Sequence, residues 1–114
     1  MKFDHVAVTV PTESMMKNNV KWYCDQHDAK VIYQDATWSL LSVGGVKVAF
    51  VLPQQHPPHI AFRIDTDQRS SLNEAGHEFK KHRDGSESCY VEDLCGNNLE
   101  FLFWPKEFFV WAAI

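Results

Sequence analysis

Apolar and polar residues alternate at the start of the chain, and the period of this pattern then changes. Residues 2–10 alternate and are rich in β-branched types, which predicts a strand. Pro11 ends the strand, and the spacing that follows predicts a helix capped by Thr12 and running to about Gln26. The buried stripe of this helix is expected to contain Met16, Val20 and Tyr23.

Three short strand-like runs follow the helix, over residues 29–34, 37–43 and 46–52. Asp35-Ala36 and Gly44-Gly45 separate them as tight turns. The first half of the chain therefore predicts the order strand, helix and three strands.

The same order returns after the Pro-rich loop 53–58. A strand is expected over 59–64, followed by a helix capped by Thr66 or Asp67. The inner face of that helix is expected to contain Leu72, Ala75 and Phe79, and the remaining strands to lie near His82, over 86–92 and over 98–104.

The pattern therefore predicts an α+β fold of two βαβββ modules, 2–52 and 59–104, in a single domain spanning 1–114. One helix is expected to cover one face of each four-stranded sheet. The other face is expected to line a shared cleft, with the sheet curved around it.

The two modules also resemble each other in sequence. Residues 4–10 (DHVAVTV) correspond to 58–64 (PHIAFRI), which places His5 and His59 at equivalent points. Strand alternation puts both histidines on the side facing the cleft, because the more apolar residues alternate with them.

A second correspondence adds a carboxylate to this pair. Residues 45–51 match 96–102, so Glu100 lies at the position that Ala49 occupies in the first module. Two imidazoles and one carboxylate are a common way to hold a divalent metal with positions left open for substrate. We therefore predict one divalent ion on His5, His59 and Glu100, with Mn, Fe, Ni, Co and Zn all compatible with nitrogen and oxygen ligands.

The other four histidines do not share this register and are interpreted as surface residues: His27, His56, His77 and His82. Considered alone, His5 or His59 could equally be an exposed residue or a core residue whose ring is hydrogen-bonded within the protein. The coincidence of three such residues across a repeat favours the metal site.

The composition of the chain restricts the classes of binding partner that are expected. Eleven basic residues against 15 acidic ones give a net charge of −4, which disfavours nucleic acid. No apolar run approaches the roughly 20 residues that cross a bilayer, so no membrane partner is expected.

Three cysteines without a paired spacing indicate reduced thiols and a cytoplasmic protein. The apolar tail within 105–114 predicts a homodimer contact or packing onto the chain's own fold.

Residues 2–104 resemble the vicinal oxygen chelate superfamily, which contains glyoxalases, bleomycin-resistance proteins and dioxygenases. The most specific segments are 4–8 (DHVAV), 58–62 (PHIAF) and 91–100 (VEDLCGNNLE). The resemblance implies paired βαβββ modules and metal ligands at His5, His59 and Glu100.

The chain departs from some members of that superfamily. Glyoxalase I and methylmalonyl-CoA epimerases carry Glu or Gln where this chain has Ala49, whereas extradiol dioxygenases and fosfomycin-modifying transferases resemble it in using three ligands. Ser88 and Tyr90 fit a run found in the fosfomycin enzymes, yet Ala7 replaces their substrate-binding Thr and no Arg follows Glu100. Extradiol enzymes are longer and carry a further acid–base histidine.

Four residues are predicted to act on the substrate. Tyr90 is the predicted catalytic residue, as a donor to a developing oxyanion, with simple packing as the alternative. Arg63 is predicted to hold an anionic substrate group, unless it pairs with Asp65 or with neighbours of Glu100. Trp38 and Ser88 complete the predicted substrate-binding set.

Two functions remain open. The first is a metal-dependent enzyme, of lyase, transferase or dioxygenase type, acting on a small oxygen-chelating substrate. The second is a metal-free protein that binds a small molecule or drug, as bleomycin-resistance proteins do.

Overall fold

The computed structural model describes residues 1–105, so the predicted contact of the apolar tail lies outside the described residues. Ten elements follow one another along the chain, in the order predicted for two βαβββ modules. They are β1 Lys2–Thr9, α1 Glu13–His27, β2 Lys30–Gln34, β3 Trp38–Val43, β4 Val46–Val51, β5 His59–Ile64, α2 Thr66–Glu74, β6 Lys80–Lys81, β7 Glu87–Glu92 and β8 Asn98–Phe103.

The strands form one mixed sheet in the order β2-β3-β4-β1-β5-β8-β7-β6. β1 pairs with β4 in parallel, whereas the β2–β3, β3–β4, β6–β7 and β7–β8 pairs are antiparallel. The predicted α+β class with a mixed sheet is therefore confirmed. No helix within residues 1–105 has the length and apolar character needed to cross a membrane.

The described part of the chain divides into two compact units, one formed by His5–Ile60 and the other by Met1–Asp4 with residues 61–105. The core of the first unit lies between α1 and the strands beneath it. Met16 and Val20 are buried there, as predicted, and Tyr23 packs against the same cluster. The remaining members of the cluster are Val10, Cys24, Ala29, Leu41, Val43, Val48, Phe50 and Leu52.

The opposite face of this sheet carries a smaller apolar cluster. Ala7 and Ala49 are register partners in the parallel β1–β4 pair, and both are buried. Val51 and Leu40 complete the cluster. His5 precedes Ala7 by two positions in β1 and therefore points to this face.

The second unit contains α2, which differs from its prediction at both ends. Asp65 is the N-cap, one residue before the predicted caps, and its carboxylate accepts from the backbone of Gln68 in a capping box. The helix ends at Glu74, before Gly76 with its φ of +97°. None of its residues is buried, so the predicted apolar inner face is wrong.

An ion pair occupies the place of that apolar face. Nη2 of Arg69 lies 2.5 Å from Oε1 of Glu87. The guanidinium also lies over two aromatic rings, 4.9 Å from the centroid of Phe79 and 5.5 Å from that of Phe103. The helix therefore contacts its sheet through a partly buried charge.

Candidate metal centre

Two histidines from different strands approach each other in the first unit. Nε2 of His5 lies 3.3 Å from Nε2 of His59, and the ring planes are inclined at 75°. His59 is buried, with 7% of its surface exposed. The sequence repeat thus correctly placed the two imidazoles on one side of the sheet.

The tautomer of His59 follows from its second ring nitrogen. Nδ1 lies 2.7 Å from the carbonyl oxygen of Pro57, which can only accept a hydrogen bond. In the neutral ring, Nδ1 therefore carries the proton, and Nε2 presents a lone pair towards His5. A backbone carbonyl that receives the distal N–H is a frequent partner of a metal-binding histidine.

The spacing of the two nitrogens suits one ion. With metal–nitrogen bonds of about 2.0–2.1 Å, adjacent ligands of a tetrahedral or octahedral ion lie about 3.0–3.4 Å apart. The observed 3.3 Å between His5 and His59 falls within this range.

Glu100 lies in the second unit, in β8, where it is 7% exposed. Tyr90 is its register partner in β7, and the Tyr90 phenol donates a hydrogen bond to the Glu100 carboxylate. Burial raises the pKa of Tyr90 well above its ordinary value, and the charge of Glu100 and this hydrogen bond raise it further. Tyr90 therefore keeps its proton at neutral pH and acts as a donor.

The candidate ligand set consists of the three predicted residues. One ligand atom from each of His5, His59 and Glu100 lies within 4.8 Å of the other two. The donor set of two nitrogens and one carboxylate matches the predicted metals.

Arg63 already has a protein partner. Its Nη2 lies 3.0 Å from Oδ1 of Asp4, and its guanidinium lies 6.0 Å from the centroid of the Trp104 ring. The ion pair shown by the structure is with Asp4, whereas the alternative had named Asp65 or the neighbours of Glu100. A role for Arg63 in holding substrate stays a prediction.

Trp38 stacks on Tyr33 at the start of β3, with ring centroids 4.5 Å apart. The Tyr33 hydroxyl donates to Asp35, which also accepts from the backbone amides of Thr37 and Trp38. These hydrogen bonds lower the pKa of Asp35 to about 2. In the β3–β4 pair Trp38 lies opposite Val51, on the face that carries Ala7. Its contact with a substrate stays a prediction.

Ser88 has a neighbour that the sequence analysis did not assign to it. Ser88 is 3% exposed, and its Oγ lies 2.7 Å from Nε2 of His82. His82 is exposed, as predicted, but it is linked to the face that carries Tyr90 and Glu100. The alternation of Lys80, His82, Ser86, Ser88 and Tyr90 around a turn containing Asp-Gly is the sequence signal that could have revealed this.

Several solved structures have the same fold. The chain aligns with a glyoxalase/bleomycin resistance protein/dioxygenase superfamily member from Vibrio splendidus at 13% identity and a TM-score of 0.63, over 86% of this chain and 95% of the other. It aligns with methylmalonyl-CoA epimerase from Mycobacterium tuberculosis at 16% identity and a TM-score of 0.66, over 96% and 91%.

A third similar structure is the Mn(II)-bound glyoxalase from Novosphingobium aromaticivorans, at 19% identity and a TM-score of 0.63. That alignment covers 90% of this chain but 37% of the longer protein. No protein-family model and no curated protein matches the sequence. These likenesses show that the chain shares the glyoxalase-like fold of the solved structures.

Proposed function

We propose that this chain is a metal-dependent enzyme acting on a small molecule that presents two neighbouring oxygens to the ion. The reaction would be of lyase, transferase or dioxygenase type. The observation that carries the proposal is the His5–His59 pair, because its nitrogens have the spacing of two ligands and Pro57 fixes one ring in the binding tautomer.

The ligand set supports an ion with open coordination positions. Two neutral imidazoles and the Glu100 carboxylate leave a divalent cation with a net charge of about +1. When bound, the ion supplies Lewis acidity towards the oxygens of a chelated substrate. Mn, Fe, Ni, Co and Zn are all proposed as candidates, and the Mn(II)-bound glyoxalase of the same fold supports the first of them.

Ala49 restricts the types of reaction that this site can support. It lies beside Ala7 on the face that carries His5, and its methyl group can neither bind an ion nor remove a proton. Reactions that need a carboxylate base at this position are therefore disfavoured. Three ligands favour reactions in which both substrate oxygens bind in place of water.

The remaining site residues are assigned by chemistry and position. Tyr90 would donate a hydrogen bond to an oxygen that gains negative charge, in place of its hydrogen bond to Glu100, since its raised pKa keeps the phenol protonated. Trp38 and Ser88 would contact the substrate, and Arg63 would bind an anionic group in competition with Asp4. The proposal includes a homodimer of single-domain chains in the cytoplasm.

The alternative is a metal-free protein of the bleomycin-resistance type that binds a small molecule. The partly exposed stack of Trp38 on Tyr33 favours it, because a stacked aromatic pair offers a flat surface to an aromatic ligand. The net charge of −4 suits a cationic ligand.

Elemental analysis of the purified protein separates the two functions. We expect about one divalent ion per chain at neutral pH. Removal of the ion by a chelator should lower the melting temperature, since an ion that binds only the folded state stabilises it. Metal-free protein that does not take up any of the five metals would contradict the proposed enzyme and favour the alternative.

A further inference from the structure

Helix α1 carries an uncharged stripe on its outer surface. Its buried side contains Met16 and Val20. Its acidic and basic side chains follow one another at a spacing of four and form a separate, charged stripe, Glu13, Lys17, Lys21 and Asp25. The uncharged stripe lies between these two sides and is spaced by four, three and four residues, over Met15, Asn19, Trp22 and Gln26. That spacing is typical of the seam along which two helices pack.

The two large apolar residues of the uncharged stripe are half-exposed. Met15 is 50% exposed and Trp22 is 52% exposed. The indole of Trp22 is nevertheless held in place, since its ring lies 5.1 Å from that of Tyr23 and 4.9 Å from that of His27 between centroids. A fixed aromatic ring loses little conformational freedom on binding, and interfaces are enriched in Trp and Met and depleted of charged residues.

The order of residues in the uncharged stripe is complementary to itself. If two copies of α1 pack antiparallel about a two-fold axis between Asn18 and Asn19, Met15 of each copy lies level with Trp22 of the other. A thioether packs favourably against an aromatic ring, and the axis repeats this contact. The Asn18 and Asn19 amides meet near the axis, where each amide can both donate and accept a hydrogen bond.

The charges at the helix ends also favour the antiparallel arrangement. Asp25 lies in the last turn of α1, where the unpaired carbonyls disfavour a carboxylate. Antiparallel packing brings it level with the first turn of the second copy, whose unpaired amides favour a carboxylate. Within the described part of the chain, the Thr12 side chain does not cap that turn. Parallel packing would instead align the two helix dipoles and bring the two Asp25 carboxylates together.

We propose that the uncharged stripe of α1 is the interface with a second copy of this chain, packed antiparallel about a two-fold axis between Asn18 and Asn19. The inference rests on the homodimer included in the proposed function and assigns a surface to it. Its central contact is Met15 of each copy against Trp22 of the other.

Sedimentation equilibrium of the full chain tests this interface. The unsubstituted protein should be a dimer. Met15→Glu and Trp22→Lys should each raise the dimer dissociation constant about tenfold or more, because each variant places a charge against an apolar side chain at both central contacts. Lys17→Glu is the matched control, since it adds a carboxylate to the charged stripe of the same helix and should leave the dimer intact. Circular dichroism verifies that each variant keeps its fold.

A mixture of the two variants tests the antiparallel register. A mixed dimer of Met15→Glu with Trp22→Lys retains one unsubstituted contact and has opposite charges at the other, so it should form more tightly than either variant alone. A mixture of Met15→Glu with Trp22→Glu should show no such gain, because like charges then meet at one contact. In a parallel dimer both mixtures would gain, since each would separate two substituted residues of the same kind.

Two results would overturn the inference and can be told apart. A monomeric unsubstituted protein would overturn it together with the proposed homodimer. A dimer that persists in both Met15→Glu and Trp22→Lys would overturn the α1 interface alone, as would equal gains in the two mixtures for the antiparallel register. The metal content of the same samples is measured separately, so failure to bind a divalent ion counts against the proposed enzyme and not against this interface.

Discussion

The Nδ1 atom of His59 lies 2.7 Å from the carbonyl oxygen of Pro57, while its Nε2 lies 3.3 Å from Nε2 of His5. One hydrogen bond to the backbone therefore determines which nitrogen of the neutral ring carries the proton and which carries the lone pair. The Pro-rich loop before β5 thus has a chemical consequence, because its carbonyl sets the orientation and the tautomer of a buried imidazole.

Replacement of His59 by alanine should abolish metal binding. Two ligands remain in that variant, and we expect its metal content to fall from about one ion per chain to less than about a tenth, because a three-ligand site loses its chelate geometry. Elemental analysis after gel filtration measures this. His77→Ala is the control, since its side chain is not part of the candidate ligand set. Full metal retention in His59→Ala would show that the ion binds elsewhere.

Replacement of Tyr90 by phenylalanine should weaken metal binding without abolishing it. The phenol donates to the Glu100 carboxylate, and loss of a partner that orients a ligand costs about 10–100-fold in metal affinity. Competition with a chromophoric chelator gives the dissociation constant. Tyr33→Phe removes a comparable hydrogen bond to Asp35 and should leave metal affinity unchanged. Equal affinities of Tyr90→Phe and the unsubstituted protein would mean that this hydrogen bond does not support the site.

Much of the fold could be predicted because it depends on local pattern. The period of two in β1 and the helical spacing of Met16 and Val20 are recorded directly in the sequence, and both residues are buried as expected. The proximity of His5 and His59, which are distant in sequence, could be predicted from the internal repeat, because the repeat places them at equivalent strand positions.

The features that were not predicted depend on contacts between distant residues. Arg69 looks like a surface residue of a short helix, yet it contacts Glu87, Phe79 and Phe103. His82 looks like a loop residue, but the turn closed by Asp84 brings it to Ser88. The hydrophobic periodicity of the sequence does not predict such side-chain contacts, because each contact depends on the backbone conformation of a turn or a helix end.

The contribution of Asp35 to the free energy of unfolding should depend on pH. Its carboxylate accepts from Tyr33, Thr37 and Trp38, so its pKa falls from 3.8 to about 2 in the folded protein. A lowered folded pKa means that the stabilisation is complete above pH 3.8 and is lost as the pH falls towards about 2.

Asp35→Asn isolates this effect, because the amide oxygen can still accept from the turn amides but does not titrate. At pH 7 the variant should melt a few degrees below the unsubstituted protein, and the difference should disappear between pH 3.8 and about 2. Calorimetry at a series of pH values measures it. A difference that stays constant over this interval would refute the assignment.

Removal of one partner of the Arg69–Glu87 ion pair should destabilise the fold far more than replacement of both partners by apolar residues. Arg69 and Glu87 are 30% and 11% exposed in their side chains, so removal of one leaves the other charge poorly solvated. Arg69→Met should lower the free energy of unfolding by about 2–3 kcal/mol, somewhat less than for a fully buried pair. Among the described residues, the buried Nε of Arg69 has no hydrogen-bond partner, so the pair is also imperfectly satisfied.

The double variant Arg69→Met/Glu87→Leu should therefore recover most of the loss and lie within about 1 kcal/mol of the unsubstituted protein. Urea denaturation of the single and double variants gives the coupling free energy directly. Lys21→Met is a suitable control, because the Lys21–Asp25 pair on α1 is exposed and contributes little. A double variant as unstable as Arg69→Met would show that Arg69 stabilises through its contacts with Phe79 and Phe103 rather than through the charge of Glu87.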